Sequence, residues 1–198
     1  MRIWLCGVRG STSAPGEEFS RVGGHTSCVA LAHDGGPPTL LLDAGTGIRR
    51  VTTLLGEAPF RGTVLLSHLH WDHTEGIPFF RAGDRVDART TVLVPRQGRR
   101  GAAQLLGRTM SPPNFPITPA ELRGEWSFST IDEGVHRVEG FEVLAREIPH
   151  KGGRTFGYRV RDAAGRSVAY LPDHAPHALG VDDCAFGSLH EAATALAS

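Results

Sequence analysis

Four side chains able to bind a metal, His68, His70, Asp72 and His73, fall within six residues of this chain. Imidazole and carboxylate suit zinc, manganese or iron, and the absence of a cysteine from the cluster points away from softer metals. In an extended segment, residues two apart point the same way, so His68 and His70 can grip one ion together. Where the chain turns into a helix, Asp72 and His73 can face a second ion. Two ions about 3.5–4 Å apart form a clamp that hydrolases use to hold a nucleophile and the charge that develops during attack. A lone HxH pair carries little information, and a solvated loop could hold four such groups. Placing them at the end of a buried strand, however, is costly without a purpose.

That strand is Thr63-Val64-Leu65-Leu66, a continuous apolar run of the kind buried on both faces. Before it, residues 2–6 read as a short strand, and a Gly/Ser/Pro-rich loop runs from Gly7 to Gly24. Thr26 to His33 and Thr39 to Leu42 form a hairpin around Asp34-Gly35-Gly36-Pro37-Pro38. Ile48, Val51, Leu54 and Leu55 have helical spacing over Thr46 to Leu55, with Gly56 as a stop. A helix is predicted just after the cluster, ending by about Gly83; Thr91 to Pro95 reads as a strand and Arg99 to Met110 as a helix. Prolines make 111–119 a loop. Strands follow over Trp126 to Ile131, Phe141 to Ile148, Thr155 to Val160 and Ser167 to Leu171, with a turn at 162–165 and a helix from Glu191 to Ala197. This order predicts a single-domain layered α/β sandwich over residues 1–198, not a doubly wound sheet. No GxGxxG follows a strand, so a dinucleotide reading has no support.

Composition narrows the partners. The 198 residues carry 40% hydrophobic and 21% charged residues, as in an average soluble domain, and the formal net charge is +0. A neutral chain has no global pull toward nucleic acid or an anionic membrane. Cys6, Cys28 and Cys184 are odd in number and widely spaced, so neither a disulfide framework nor a thiolate zinc site is expected. The apolar start ends at Gly7, too short for a secretory signal, and no run reaches ~18 apolar residues. The expectation is a soluble, cytoplasmic protein.

With HxHxDH matched at every fixed position by His68-Leu69-His70-Trp71-Asp72-His73, the chain resembles the metallo-β-lactamase superfamily from Met1 to near its C-terminus. The resemblance implies an αββα sandwich. Leu42-Asp43-Ala44-Gly45 looks like the family's strand-ending Asp-x-Gly segment, whose aspartate supports the site from behind the ligands. A rival reading makes Asp43 a cap for the helix near Thr46. Glu147-Ile148-Pro149-His150 resembles the strand supplying a third histidine, and Val168 to Asp173 the strand that ends in a bridging aspartate. By this carry-over His68, His70 and His150 bind one metal, Asp72 and His73 the other, and Asp173 bridges them. The implied cofactors are two divalent ions, zinc first, with manganese and iron also suited.

The family places a last histidine on a late strand beyond the bridging aspartate. Here 25 residues follow Asp173, and His174, His177 and His190 lack that context. The final strand or strands and helix are therefore expected to be missing, as in a C-terminally truncated form. Apolar surface left bare would then invite association into a homo-oligomer.

The segments Leu5 to Thr12 and Gly23 to Cys28, with the Asp-bearing motif, look like the phosphodiesterase branch that includes ribonuclease Z. The implied activity is hydrolysis of a small or cyclic nucleotide-like phosphodiester by a metal-activated hydroxide, with Asp72 as the catalytic residue that steers the nucleophile's proton. Two alternatives stay open: an acyl or thioester hydrolase of lactamase or glyoxalase II type, and a catalytically impaired metal-binding fragment. Arg154 is a candidate phosphate contact, although a solvated strand-end arginine is the plainer description. Without a long basic insertion, nucleic acid is disfavoured as a partner.

Overall fold

Leu40, Leu41 and Leu42 are all fully buried, yet they serve two different cores. Successive strand residues face opposite sides, so Leu40 and Leu42 pack into one layer boundary and Leu41 into the other. Burying each such side chain stabilises by about 1.5–3 kcal/mol. The same alternation holds in the neighbouring strand, where Leu65 joins the first core and Val64 and Leu66 the second.

The computed structural model describes residues 1–174, 191 and 194–197. Among these, six strands form one sheet in sequence order: β1 (Arg2–Gly7), β2 (Cys28–Ala32), β3 (Leu40–Leu42), β4 (Arg61–Leu65), β5 (Arg89–Pro95) and β6 (Glu125–Ile131). The first two pairings are antiparallel; β3 to β6 run parallel. A second, antiparallel sheet has the order β10 (Ser167–Tyr170), β9 (Thr155–Arg161), β8 (Phe141–Ile148), β7 (Gly134–Val138). Between the sheets lie Leu31, Leu42, Leu65, Phe141, Phe156 and Tyr158.

On the outer face of the first sheet lie α1 (Arg49–Leu54), α2 (Trp71–Thr74) and α3 (Ala102–Leu106); Val51 of α1, Leu105 and Leu106 of α3, and Ile77 in the turn after α2 enter its core. On the outer face of the second, Ile148 meets Leu196 of the terminal helical residues 194–197. The layers are helix, sheet, sheet, helix, as the resemblance implies.

Several expected elements are shorter than their sequence pattern. The helix expected over 99–110 contracts to α3, because Gly101 and Gly107 stand at its two caps. The helix expected just after the metal motif begins inside it instead, as the single turn α2 that carries Asp72 and His73, and is followed after Gly76 by a 3-10 turn at Ile77–Phe79. The second strand starts at Cys28, not Thr26, because Thr26 exchanges hydrogen bonds with the Thr46 turn: each backbone N–H donates to the other's hydroxyl, at 2.9 and 2.8 Å. The strand β7 was not anticipated; its burial alternates, but Gly134, His136 and Arg137 mask the pattern. Cys6 and Cys28 are buried free thiols; Cys184, His177 and His190 lie outside the described residues. Among the described residues, no helix is long and apolar enough to cross a membrane.

Candidate metal centre

Strand direction brings the candidate residues to one rim. β3 and β4 are parallel, and their carboxyl ends deliver Asp43 and the segment Ser67-His68. β8 and β10 each run antiparallel to β9, so they point the same way and lead, two and three residues past their ends, to His150 and Asp173. The second sheet is fixed to the first at this rim: the fully buried Tyr158 hydroxyl donates to the Leu66 carbonyl at 2.7 Å, and the Phe156 N–H to the Ser67 carbonyl at 2.8 Å. The outer ends of parallel strands are where α/β sheets place ligands.

Two donor groups converge there. In the first, His68 Nε2 lies 2.9 Å from His70 Nδ1, which lies 3.1 Å from His150 Nε2. Asp173 Oδ2 is 3.7 Å from His68 Nε2 and 3.6 Å from His150 Nε2. In the second, His73 Nε2 stands 3.3 Å from Asp72 Oδ2 and 3.2 Å from Asp173 Oδ2. Asp173 belongs to both groups. Donors about 2.0–2.1 Å from a tetrahedral ion stand roughly 3.4 Å apart, so the observed spacings fit a divalent cation.

The residues behind these donors fix their protonation. Asp43 is fully buried, and its carboxylate accepts from the Ser67 N–H at 2.6 Å, the Ser67 hydroxyl at 2.7 Å, His73 Nδ1 at 2.5 Å and the Tyr170 hydroxyl at 2.7 Å. Since the Ser67 proton goes to Asp43, Ser67 Oγ must accept from His68 Nδ1, 2.9 Å away. His68 is thereby the Nδ1–H tautomer, and its Nε2 lone pair faces the cluster. His73 likewise donates Nδ1–H to Asp43 and turns Nε2 toward the two aspartates. Ser27 Oγ, 2.5 Å from the Tyr170 oxygen, donates to it in turn.

Charge states follow the same pattern. Burial, with the neighbouring His73 cation, lowers the His68 pKa to about 3, and burial lowers that of His150 as well. The hydrogen bond from His73 holds Asp173 below its usual value. For His73 burial works downward, but the bonds to Asp173 and Asp43 reverse it and raise the pKa to about 10. In the metal-free chain a proton on His73 thus sits between Asp72 and Asp173, where a cation would be held.

The backbone of α2 docks directly on the turn after β3. Ala44 N–H donates to the His73 carbonyl at 2.8 Å and Gly76 N–H to the Ala44 carbonyl at 2.9 Å. A Cβ at Gly45 would lie 2.1 Å from the Asp72 carbonyl oxygen, so only glycine permits this approach. From the opposite side, the Ser11 N–H donates to Asp72 Oδ2 at 2.7 Å.

All six expected donors, His68, His70, Asp72, His73, His150 and Asp173, are thus brought together, with Asp43 directly behind them. The alternative cap role of Asp43 is not observed: Gly45 occupies the cap of the 46–48 turn, with no side-chain cap bond. His174 adjoins Asp173 and is half-buried. Arg154 is not an open phosphate contact, because Glu147 and Glu133 already pair it at 2.7 and 3.3 Å. Sequence reading missed Ser67, Tyr170, Ser27 and the Ser11 N–H. Only Ser67, immediately before the motif, carried a positional hint.

A family model described as beta-lactamase superfamily domain matches residues 39–195. A ribonuclease Z of Salinibacter ruber is 28% identical over 170 residues, covering 83% of this chain and 50% of that protein. A ribonuclease Z of Limosilactobacillus fermentum is 32% identical over 104 residues, 51% of this chain and 31% of that protein. The chain spans half or less of these curated relatives. Among solved structures, the metallo-β-lactamase fold protein YhfI of Bacillus subtilis gives a TM-score of 0.58 at 14% identity, covering 84% of this chain and 60% of its own. A diphosphatase of the PhnP family gives 0.52 at 15% identity, with 80% and 62% covered. At these identities the structures establish the fold. The fold family implies a divalent metal, and the His/Asp cluster fits one. The chain belongs to the metallo-β-lactamase superfamily and is similar to its ribonuclease Z-like branch.

Proposed function

We propose that this chain is a metal-dependent phosphodiesterase that holds two divalent ions, zinc first, with manganese or iron as the other suited metals. His68, His70 and His150 would hold one ion and Asp72 and His73 the other, with Asp173 common to both donor groups. The observation that carries this reading is the convergence of three imidazole nitrogens on a carboxylate that is shared with a second donor pair. Bound there, such ions supply Lewis acidity toward phosphoryl oxygens and lower the pKa of water toward ~7.

The chain's own groups do the rest. Asp72, oriented by the Ser11 N–H, stands beside the shared carboxylate, where it would steer the nucleophile's proton. Asp43, through Ser67 and His73, keeps two imidazoles in the tautomers that leave Nε2 available. The two curated relatives, both ribonuclease Z, support phosphorus over a carbonyl carbon as the centre attacked. The neutral net charge favours a small diester, while the relatives' name keeps RNA among the substrate classes.

The test is metal per chain by elemental analysis, with hydrolysis of bis-p-nitrophenyl phosphate, nitrocefin and S-lactoylglutathione, on the parent and on His68→Ala. Two ions per chain and turnover of the phosphate diester alone, both reduced in the variant, are expected. Turnover of nitrocefin or the thioester instead would move the chain to the acyl class. One equivalent or less with no turnover would make it a metal-binding fragment.

A further inference from the structure

Trp71 stands between two of the donors, His70 and Asp72, yet its indole is 71% exposed and lines a cavity that none of the metal donors lines. The cavity measures about 470 Å³, within the range of small-molecule sites. Its apolar wall comes from Trp71, Ile77, Phe79, Leu106, Met110 and Phe115. Phe79 is 56% exposed and meets Phe115 edge to face, with centroids 5.9 Å apart and planes at 87°. Exposed aromatic rings gathered in one concavity mark a binding surface more often than a bare one.

Charge at the cavity is positive where it is available. Arg108 lines it, is exposed, and forms no ion pair among the described residues. The acid lining it, Glu75, accepts from the Thr26 hydroxyl at 3.2 Å. A smaller cavity of about 200 Å³ shares Thr74, Leu106, Arg108 and Thr109 and reaches Leu69, another residue of the metal motif. Flat apolar walls with one guanidinium suit an aromatic ring that carries an anionic group: the ring stacks and the arginine meets phosphate.

We propose that this cavity binds the flat aromatic group borne by the diester, of nucleobase size, among Trp71, Phe79 and Phe115, with Arg108 on an adjacent phosphate. The assignment rests on the phosphodiesterase reading and adds to it the part of the substrate remote from the reacting phosphorus.

Two measurements test it. The first is the ratio of kcat/KM for thymidine 5′-(p-nitrophenyl phosphate) over methyl p-nitrophenyl phosphate, in the metal-loaded parent, Phe115→Leu and Arg108→Gln. The second is binding of adenosine 5′-monophosphate to the metal-free protein, followed by tryptophan fluorescence. The ratio is expected to exceed about fivefold in the parent and to fall toward unity in each variant, with weaker nucleotide binding in both. Phe115→Leu keeps an apolar side chain, so a retained melting temperature separates lost stacking from lost folding. An equal ratio in parent and variants, or no nucleotide binding, overturns the cavity assignment even if methyl p-nitrophenyl phosphate is hydrolysed. Nucleotide binding that the variants weaken, in a protein that turns over neither diester, would keep the cavity and remove the hydrolase reading.

Discussion

His73 Nδ1 lies 2.5 Å from Asp43 Oδ2, with both side chains buried. The pair fixes which face of the imidazole remains for a cation. Because Asp43 also takes the Ser67 proton, the same carboxylate sets the tautomer of His68. One residue without an expected metal bond thus governs a donor in each group.

Asp43→Asn keeps the shape but introduces an N–H among four donors. Loss of such an orienting partner typically costs 10–100-fold in metal affinity. A drop of that size is expected in competition with a chelating dye. Unchanged affinity would show that the imidazoles need no backing carboxylate.

Tyr170→Phe removes a hydroxyl that donates to Asp43 and accepts from Ser27. Hydrogen bonds to charged groups contribute about 1.5–3 kcal/mol, and urea unfolding should show a loss in that range. A loss below about 0.5 kcal/mol would mean that a water substitutes fully.

The metal-free protein should be most stable near neutral pH. The folded His73 pKa is about 10 against an ordinary 6.5, so its contribution is complete below ~6.5 and is lost as pH rises toward 10. His68, lowered to about 3, acts oppositely: its contribution is present above ~6.5 and is lost as pH falls toward 3. Melting temperatures across pH 6.5–10 should therefore decline, and His73→Gln should flatten that limb. An alkaline limb that the substitution leaves intact would assign the decline to another group.

Gly45→Ala sets a methyl 2.1 Å from the Asp72 carbonyl oxygen and 2.4 Å from Thr26 Oγ1. Overpacking of this kind costs about 1–3 kcal/mol, more when backbone must move. Lower stability is expected together with weaker metal binding, since α2 carries Asp72 and His73. Gly35→Ala, at a turn with open space, is the comparison: it pays only for its positive φ of 78° and should leave metal affinity intact.

The metal motif was legible because polar residues at the end of an apolar run stand out against the cost of burying them. A strand whose apolar residues recur at alternate positions, Phe141–Ile148, is legible to the residue. Short helices are not: α3 ends where Gly101 and Gly107 withdraw support, and α2 is held by backbone contacts to Ala44 that no periodicity encodes. The strand β7 escaped because polarity does not follow burial along it: on this sheet edge Val135 is exposed while His136 is half-buried.

What the sequence determined by itself was the inventory: four donors within six residues, and Asp43, His150 and Asp173 each following an apolar strand. Local pattern reports burial and spacing along the chain, and those quantities sufficed for it. It takes the folded chain to bring four strands to one rim, to share Asp173 between both donor groups, and to make Ser67 and Tyr170 meet on Asp43. These relations join residues up to 127 positions apart. They depend on strand direction and sheet packing, which no local window contains.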